Sequence, residues 1–186
     1  MRAAVLLAAM SCMAAACAGG LPGPQSAGDP PGPSGQELLS MADALASGGD
    51  HVRAGQYLIA AQTRGISDRQ VIGRLLKLDA AGGQYRLGIE HAEAYLQAHP
   101  SELSVRQCLA SFYLAIGETA EAAREYARVL ERRPNNPEVH FALATLLRDA
   151  GIERARMDEH YRAYIALAPH GRHADEARAG LFEELP

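Results

Sequence analysis

The side chains with the widest chemical reach are few, and their spacing leaves most of them without partners. Seven histidines stand at positions 51, 91, 99, 140, 160, 170 and 173, and three cysteines at 12, 17 and 108. His170 and His173 are the tightest pair, but they fall in the turn after Pro169 rather than on one helix face, and exposed loop histidines are expected there. Asp158, Glu159 and His160 bring acid and base together on a helix whose outer side should be charged in any case. Cys108 occupies an apolar helical position and reads as a small buried hydrophobe, with no histidine spaced to activate it. There is no nucleophile elbow, phosphate-binding glycine loop or metal-ligand pair of ordinary spacing. The residues therefore argue against an enzyme, and they call for no cofactor and no metal. The search moves from a catalytic cluster to a surface.

Composition narrows what that surface can bind. Hydrophobic residues make up 48% of 186, enough for a core, but Trp is absent and Phe numbers only 3, so alanine-rich helix contacts must do the filling. The net charge is −4; without residues 1–16, which carry only Arg2, it is −5, from 17 basic and 22 acidic residues. A nucleic-acid binder needs a basic face, so none is expected.

The first 20 residues, MRAAVLLAAMSCMAAACAGG, place Arg2 before an apolar run and then small residues, which is the zoning of a secretory signal peptide. The run ends Ala14-Ala15-Ala16-Cys17 and resembles a bacterial lipobox, departing from it at Ala14, where that family usually has Leu. The resemblance implies cleavage after residue 16 and a lipid on Cys17. Cys12 and a plain cleavage remain as alternatives. Ala18 after the cysteine, by the same resemblance, implies an outer-membrane lipoprotein facing the periplasm, and the three acyl chains the resemblance implies would anchor it stably. Residues 17–34 follow as a linker with Pro22, Pro24, Pro30, Pro31 and Pro33 and almost no apolar bulk. Such a segment cannot repay its ordering entropy and is expected to be disordered. Extended, it reaches roughly 50 Å at ~3.1 Å per residue.

The remaining chain, 35–185, is built on a ruler. Gly49, Gly83, Gly117 and Gly151 stand 34 residues apart, and Met41, Leu75, Leu109 and Leu143 keep the same step. A fixed period of this size signals a repeat array. Its cleanest copy is Leu103–Asn136. There Val105, Leu109, Phe112 and Ile116 predict one amphipathic helix, Gly117 stops it, and Ala122, Tyr126, Val129 and Leu130 predict a second. Pro134 ends that helix, and Asn136-Pro137 caps and opens the next. Leu109, Ala110, Tyr113, Gly117, Ala122, Tyr126, Leu130 and Pro134 together resemble the tetratricopeptide (TPR) repeat, with Arg106 where the family usually has a large apolar residue. The resemblance implies an all-α solenoid of four helix hairpins, at about 35–68, 69–102, 103–136 and 137–169, with a capping helix at about 174–185. Asp50 should cap a helix, and Ser67-Asp68-Arg69-Gln70 should form a capping box. Asp79 stands where Tyr113 does and marks a degenerate copy. One extra residue falls near 152–157, after which Met157, Tyr161, Tyr164 and Ile165 should carry the inner stripe.

In the family, the first helix of each hairpin lines a concave groove, so the resemblance also implies which residues face a partner. These are Leu39 and Asp43, Gln70 and Lys77, Gln107, Ser111 and Leu114, and Phe141, Thr145 and Arg148, with Gly73 and Ala80 between them. Leu39, Leu114 and Phe141 would offer apolar pockets, unless Leu39 and Phe141 serve contacts between repeats. The others offer polar handles for an extended peptide or partner helix. The lysine and asparagine clamp of chaperone-binding relatives is missing. The expected function is a non-enzymatic, envelope-anchored scaffold for a protein partner, by analogy an assembly factor. The alternative is a module for a non-protein envelope ligand such as cell-wall or exported polysaccharide, which would need aromatic platforms that only Phe141 supplies.

Overall fold

The four turn glycines set the architecture. In the computed structural model Gly49, Gly83, Gly117 and Gly151 have φ of 82°, 66°, 84° and 65°. This left-handed region suits glycine and ends a helix without strain. In the first three turns the following amide reaches back five residues: Asp50 to the Leu45 carbonyl, Gln84 to Asp79 and Glu118 to Tyr113. One sequence signal thus produces the same tight reversal at a fixed interval.

The structure describes residues 32–151 and 154–182. The signal peptide, Cys12, Cys17 and nearly all of the linker lie outside them, as do positions 152–153 of the expected insertion and Leu185. The described helices are α1 (Gly35–Ser47), α2 (His51–Thr63), α3 (Asp68–Ala81), α4 (Tyr85–Ala98), α5 (Leu103–Ala115), α6 (Thr119–Arg132), α7 (Pro137–Asp149), α8 (Arg154–Leu167) and α9 (Ala174–Phe182). No strand occurs among the described residues, and no helix there is long and apolar enough to cross a membrane. The order is four hairpins followed by a single helix, an all-α solenoid as the period predicts.

Each hairpin leaves an apolar face that only the next helix can cover. Four clusters record this. Leu38, Leu39 and Ala42 of α1 meet Ala54, Leu58 and Ala61 of α2 and Val71 and Leu75 of α3. Ile72 and Leu76 of α3 join Ile89, Ala92 and Leu96 of α4 with Val105, Leu109 and Phe112 of α5. Ala110, Tyr126, Val129, Val139 and Leu143 tie α5, α6 and α7. Ala144, Leu147, Met157, Tyr161, Tyr164, Ala174 and Ala177 tie α7, α8 and α9. Tyr161 and Tyr164 are fully buried, which places the stripe of α8 where the shifted register puts it. Small residues set the spacing between helices. Ala54 and Ala122 are fully buried, and at the matching position a Cβ on Gly88 would come within 2.5 Å of the Phe112 ring.

Capping agrees with the sequence in part. Asp50 accepts from the Arg53 amide at 3.1 Å and Asn136 from Val139 at 3.2 Å. The box read at Ser67 does not form: the Ser67 hydroxyl donates to Gln70 Oε1 at 3.1 Å and accepts from no backbone amide at the helix start. A reciprocal box appears at Ser34 instead. Its hydroxyl accepts from the Glu37 amide at 3.3 Å, and the Glu37 carboxylate takes the Ser34 amide at 2.7 Å. These bonds hold the Glu37 carboxyl below its ordinary range.

Candidate functional site

The first helices of the four hairpins, α1, α3, α5 and α7, form the row that the repeat resemblance expects to be the inner one. Side chains link its members directly. Asp43 on α1 accepts from Arg74 Nε and Nη2 on α3 at 3.0 and 3.4 Å. Gln107 on α5 accepts from Asn136, the cap of α7, at 3.2 Å. Between α3 and α5 lies a cleft of about 520 Å³, floored by Leu76, Val105 and Phe112 and rimmed by Lys77, Gln107 and Ser111. Val105 and Phe112 are buried beneath it, so its floor is apolar while its rim is polar.

Most of the residues read from the sequence reach this row, but not all remain open. Gln70, Lys77, Ser111 and Leu114 are exposed, Leu114 by 37%. Lys77 forms no ion pair among the described residues. The Ser111 hydroxyl bridges the Gln107 carbonyl at 3.1 Å and the Tyr126 hydroxyl at 2.9 Å. Thr145 is half-buried and donates to the Phe141 carbonyl of its own helix at 3.1 Å.

Three readings are corrected. Leu39 is 2% exposed, inside the cluster shared by α1, α2 and α3, and cannot contact a partner. Phe141 is half-buried and not an open platform: His173 stacks on its ring at 4.0 Å and 12°, with Tyr161 and Tyr164 at its other sides. Cys108 is not a core residue. It lines the cleft, accessible from it, because its neighbour Leu109 takes the inward position. Its surroundings still push the thiol up, against an opposing pull from Lys77, so it stays protonated.

Arg148 is engaged rather than free. It bonds Asp149 at 3.1 Å and the Tyr161 hydroxyl at 3.3 Å, and faces Glu176 of α9 at 3.7 Å. The Asp149 bond raises its pKa first of all. With Phe141 under His173, the α7 end of the row is largely committed to holding α8 and α9.

Other polar groups meet outside the row. Asp79 is buried and accepts from His91 Nδ1 at 2.8 Å, which raises the His91 pKa despite partial burial. The degenerate position is therefore filled by an ion pair between α3 and α4. Arg106, the other departure from the family pattern, pairs with Glu125, which Arg128 also contacts. Arg106 also donates to the Pro100 carbonyl at 3.0 Å. The closest histidines are not 170 and 173 but His140 and His160, with Nδ1 atoms 3.0 Å apart. His140 Nε2 donates to the Pro134 carbonyl at 2.8 Å, so in the neutral ring Nδ1 is the acceptor and His160 the donor. Burial, then the neighbouring His140, pulls the His160 pKa down. Twenty residues separate the two rings, and no local pattern could have joined them. No group of three metal-ligating side chains converges among the described residues.

Comparison with known proteins places this geometry. Residues 103–146 match the family model for the tetratricopeptide repeat. Among solved structures, the chain resembles a tetratricopeptide repeat protein from Parabacteroides merdae ATCC 43184. The TM-score is 0.70 at 19% identity, covering 79% of this chain and 58% of that one. It also resembles MamA (residues 41 to the end) from Desulfovibrio magneticus RS-1, with TM-score 0.64, 18% identity and coverage of 75% and 78%. A third is YrrB, a TPR protein with an unusual peptide-binding site, with TM-score 0.65, 14% identity and coverage of 78% and 74%. No curated protein matches the chain in sequence. At these identities the likeness is one of fold: the described chain is a tetratricopeptide-repeat solenoid.

Proposed function

We propose that this tetratricopeptide solenoid is a non-enzymatic interaction scaffold that holds a partner protein in its inner groove. The observation that carries the reading is the row α1–α3–α5–α7. At its centre Lys77 and Ser111 stand open at the rim of an apolar cleft with no internal occupant, and Gln70 and Leu114 are exposed further along the same helices. An apolar floor with a few convergent polar groups is the usual form of a binding site. The peptide-binding site named for YrrB lends the reading support by likeness of fold. The polysaccharide alternative loses its one aromatic platform, because the Phe141 ring is taken by His173.

The second part of the proposal concerns place. Cys17, after Ala14-Ala15-Ala16, carries a lipid, and the protein hangs from the outer membrane into the periplasm on its proline-rich linker. A tethered groove of this kind suits an assembly factor, which must hold a subunit near a membrane without modifying it. Changing Cys17→Ala should release the protein from the membrane fraction into the soluble envelope fraction. Unchanged membrane partition would remove the lipid from the account and leave the groove untouched.

A further inference from the structure

The cleft between α3 and α5 has three features that together describe what enters it. Its floor is apolar and its volume is about 520 Å³, enough for one or two side chains. Gly73 stands at its edge, in the middle of α3. A Cβ there would meet nothing within 4 Å, so no internal contact requires glycine, although glycine weakens a helix. What it does provide is a bare stretch of backbone that another chain can approach closely. The third feature is charge. Lys77, four residues on and the chain's single lysine, has no ion pair among the described residues. Arg74 beside it is held by Asp43, Arg106 is turned to Glu125, and α5 carries no carboxylate of its own. The centre of the groove is therefore positive in a chain of net charge −4.

We infer that the cleft takes an extended, acidic segment of the partner protein. One apolar side chain enters between α3 and α5 beside Gly73, and the side-chain carboxylate of an adjacent Asp or Glu pairs with Lys77. The amide of Gln107, whose oxygen is occupied by Asn136, keeps its N–H groups for a backbone carbonyl of the segment. The row continues past Lys77 toward Asp43 on one side and Thr145 on the other, so the acidic group is internal to the segment rather than its terminus. This rests on the groove reading above and adds to it the chemistry of the occupant.

The test uses the full chain against a displayed library of random decapeptides, followed by fluorescence anisotropy of the enriched peptides. Enrichment of an apolar residue next to Asp or Glu is expected. Lys77→Gln should weaken those peptides about two- to fivefold, as loss of an exposed ion pair does. Lys77→Glu should weaken them further, and Gly73→Leu should abolish binding without lowering the melting temperature. If Gly73→Leu does not fold, the surface change Lys77→Glu still decides. Enriched peptides that are neutral or basic, yet are lost in Gly73→Leu, would overturn the acidic occupant and leave the groove standing. No enrichment, or binding indifferent to both positions, would overturn the groove reading as well.

Discussion

Two glycines in neighbouring helices, Gly73 inside α3 and Gly88 in the first turn of α4, should respond to the same substitution with opposite signs. Gly73 lies in α3 with open space where a Cβ would go. Gly73→Ala removes only the helix penalty of glycine and should stabilise by about 0.5–1 kcal/mol. Gly88 lies in α4, and a Cβ there would sit 2.5, 2.9 and 2.9 Å from three carbons of the Phe112 ring. That ring is 5% exposed and set among Leu76, Ile89 and Leu109, so it has little room to retreat. Overpacking of this kind costs about 1–3 kcal/mol, offset in part by the same helix gain, leaving Gly88→Ala destabilised by roughly 1–2 kcal/mol. For a folded part of this size each kcal/mol moves the midpoint by about 2–4 °C. Thermal unfolding followed by far-ultraviolet circular dichroism should thus rise a few degrees for Gly73→Ala and fall a few degrees for Gly88→Ala. Adding Phe112→Leu to Gly88→Ala should return part of the loss, since it vacates the overlapping volume. Changes of the same sign at both glycines, or no recovery in the double variant, would refute the reasoning.

His91→Ala should strand the buried Asp79 carboxylate and cost about 2 kcal/mol, reduced from the fully buried case because His91 is a quarter exposed; replacing both residues with leucine should recover most of it in urea unfolding. Asp79 raises the His91 pKa, so its contribution is full below the ordinary value of 6.5 and is lost as pH rises through the higher folded value. The His160 pKa is lowered, so its contribution is present above 6.5 and lost as pH falls through the lower folded value. The variant with leucine at both 79 and 91, which removes the buried acid together with its partner, should therefore melt at higher temperature at pH 7 than at pH 5; the reverse order would contradict the assignment to His160. Glu125→Ala should cost about 2–3 kcal/mol by leaving Arg106 without its carboxylate, and Glu125→Gln less, measured by the same unfolding curves. Cys108 should be alkylated slowly by iodoacetamide when the groove is empty and more slowly still when an enriched peptide fills the cleft, as followed by mass spectrometry of its tryptic peptide.

The fold was legible because its signals are local and recur. A glycine that must adopt positive φ cannot be replaced cheaply, so the 34-residue step of turn glycines marks every hairpin. Asp50 and Asn136 were legible as caps for the same reason, being tied to the amide three residues on. Contacts across helices were not. Asp79 looked like a defect because its partner His91 lies on the next helix, and Arg106 looked like a lapse because Glu125 lies 19 residues away. The groove was legible only to within one helical position. Leu39 turns inward where its register equivalents Gly73 and Gln107 do not. Cys108 and Leu109 differ by a single step around α5, yet one lines the cleft and the other is core. Phe141 failed for a different reason: His173, which covers it, lies beyond the last hairpin, where the repeat pattern gives no guidance.

The central claim is that partners are held by the inner row. A photoreactive benzoylphenylalanine placed in turn at Lys77, Ser111 and Leu114, and as controls at Ile59 and Leu87, tests it in cells. Ile59 and Leu87 lie on α2 and α4 and are 50% and 39% exposed, and the three inner positions are exposed too, Ser111 giving up only its hydroxyl contacts with the Gln107 carbonyl and Tyr126 to the probe. Illumination should give a discrete cross-linked adduct from the three inner positions and none from the two outer ones. Adducts from Ile59 or Leu87 alone would place the partner on the other face of the solenoid and contradict the account.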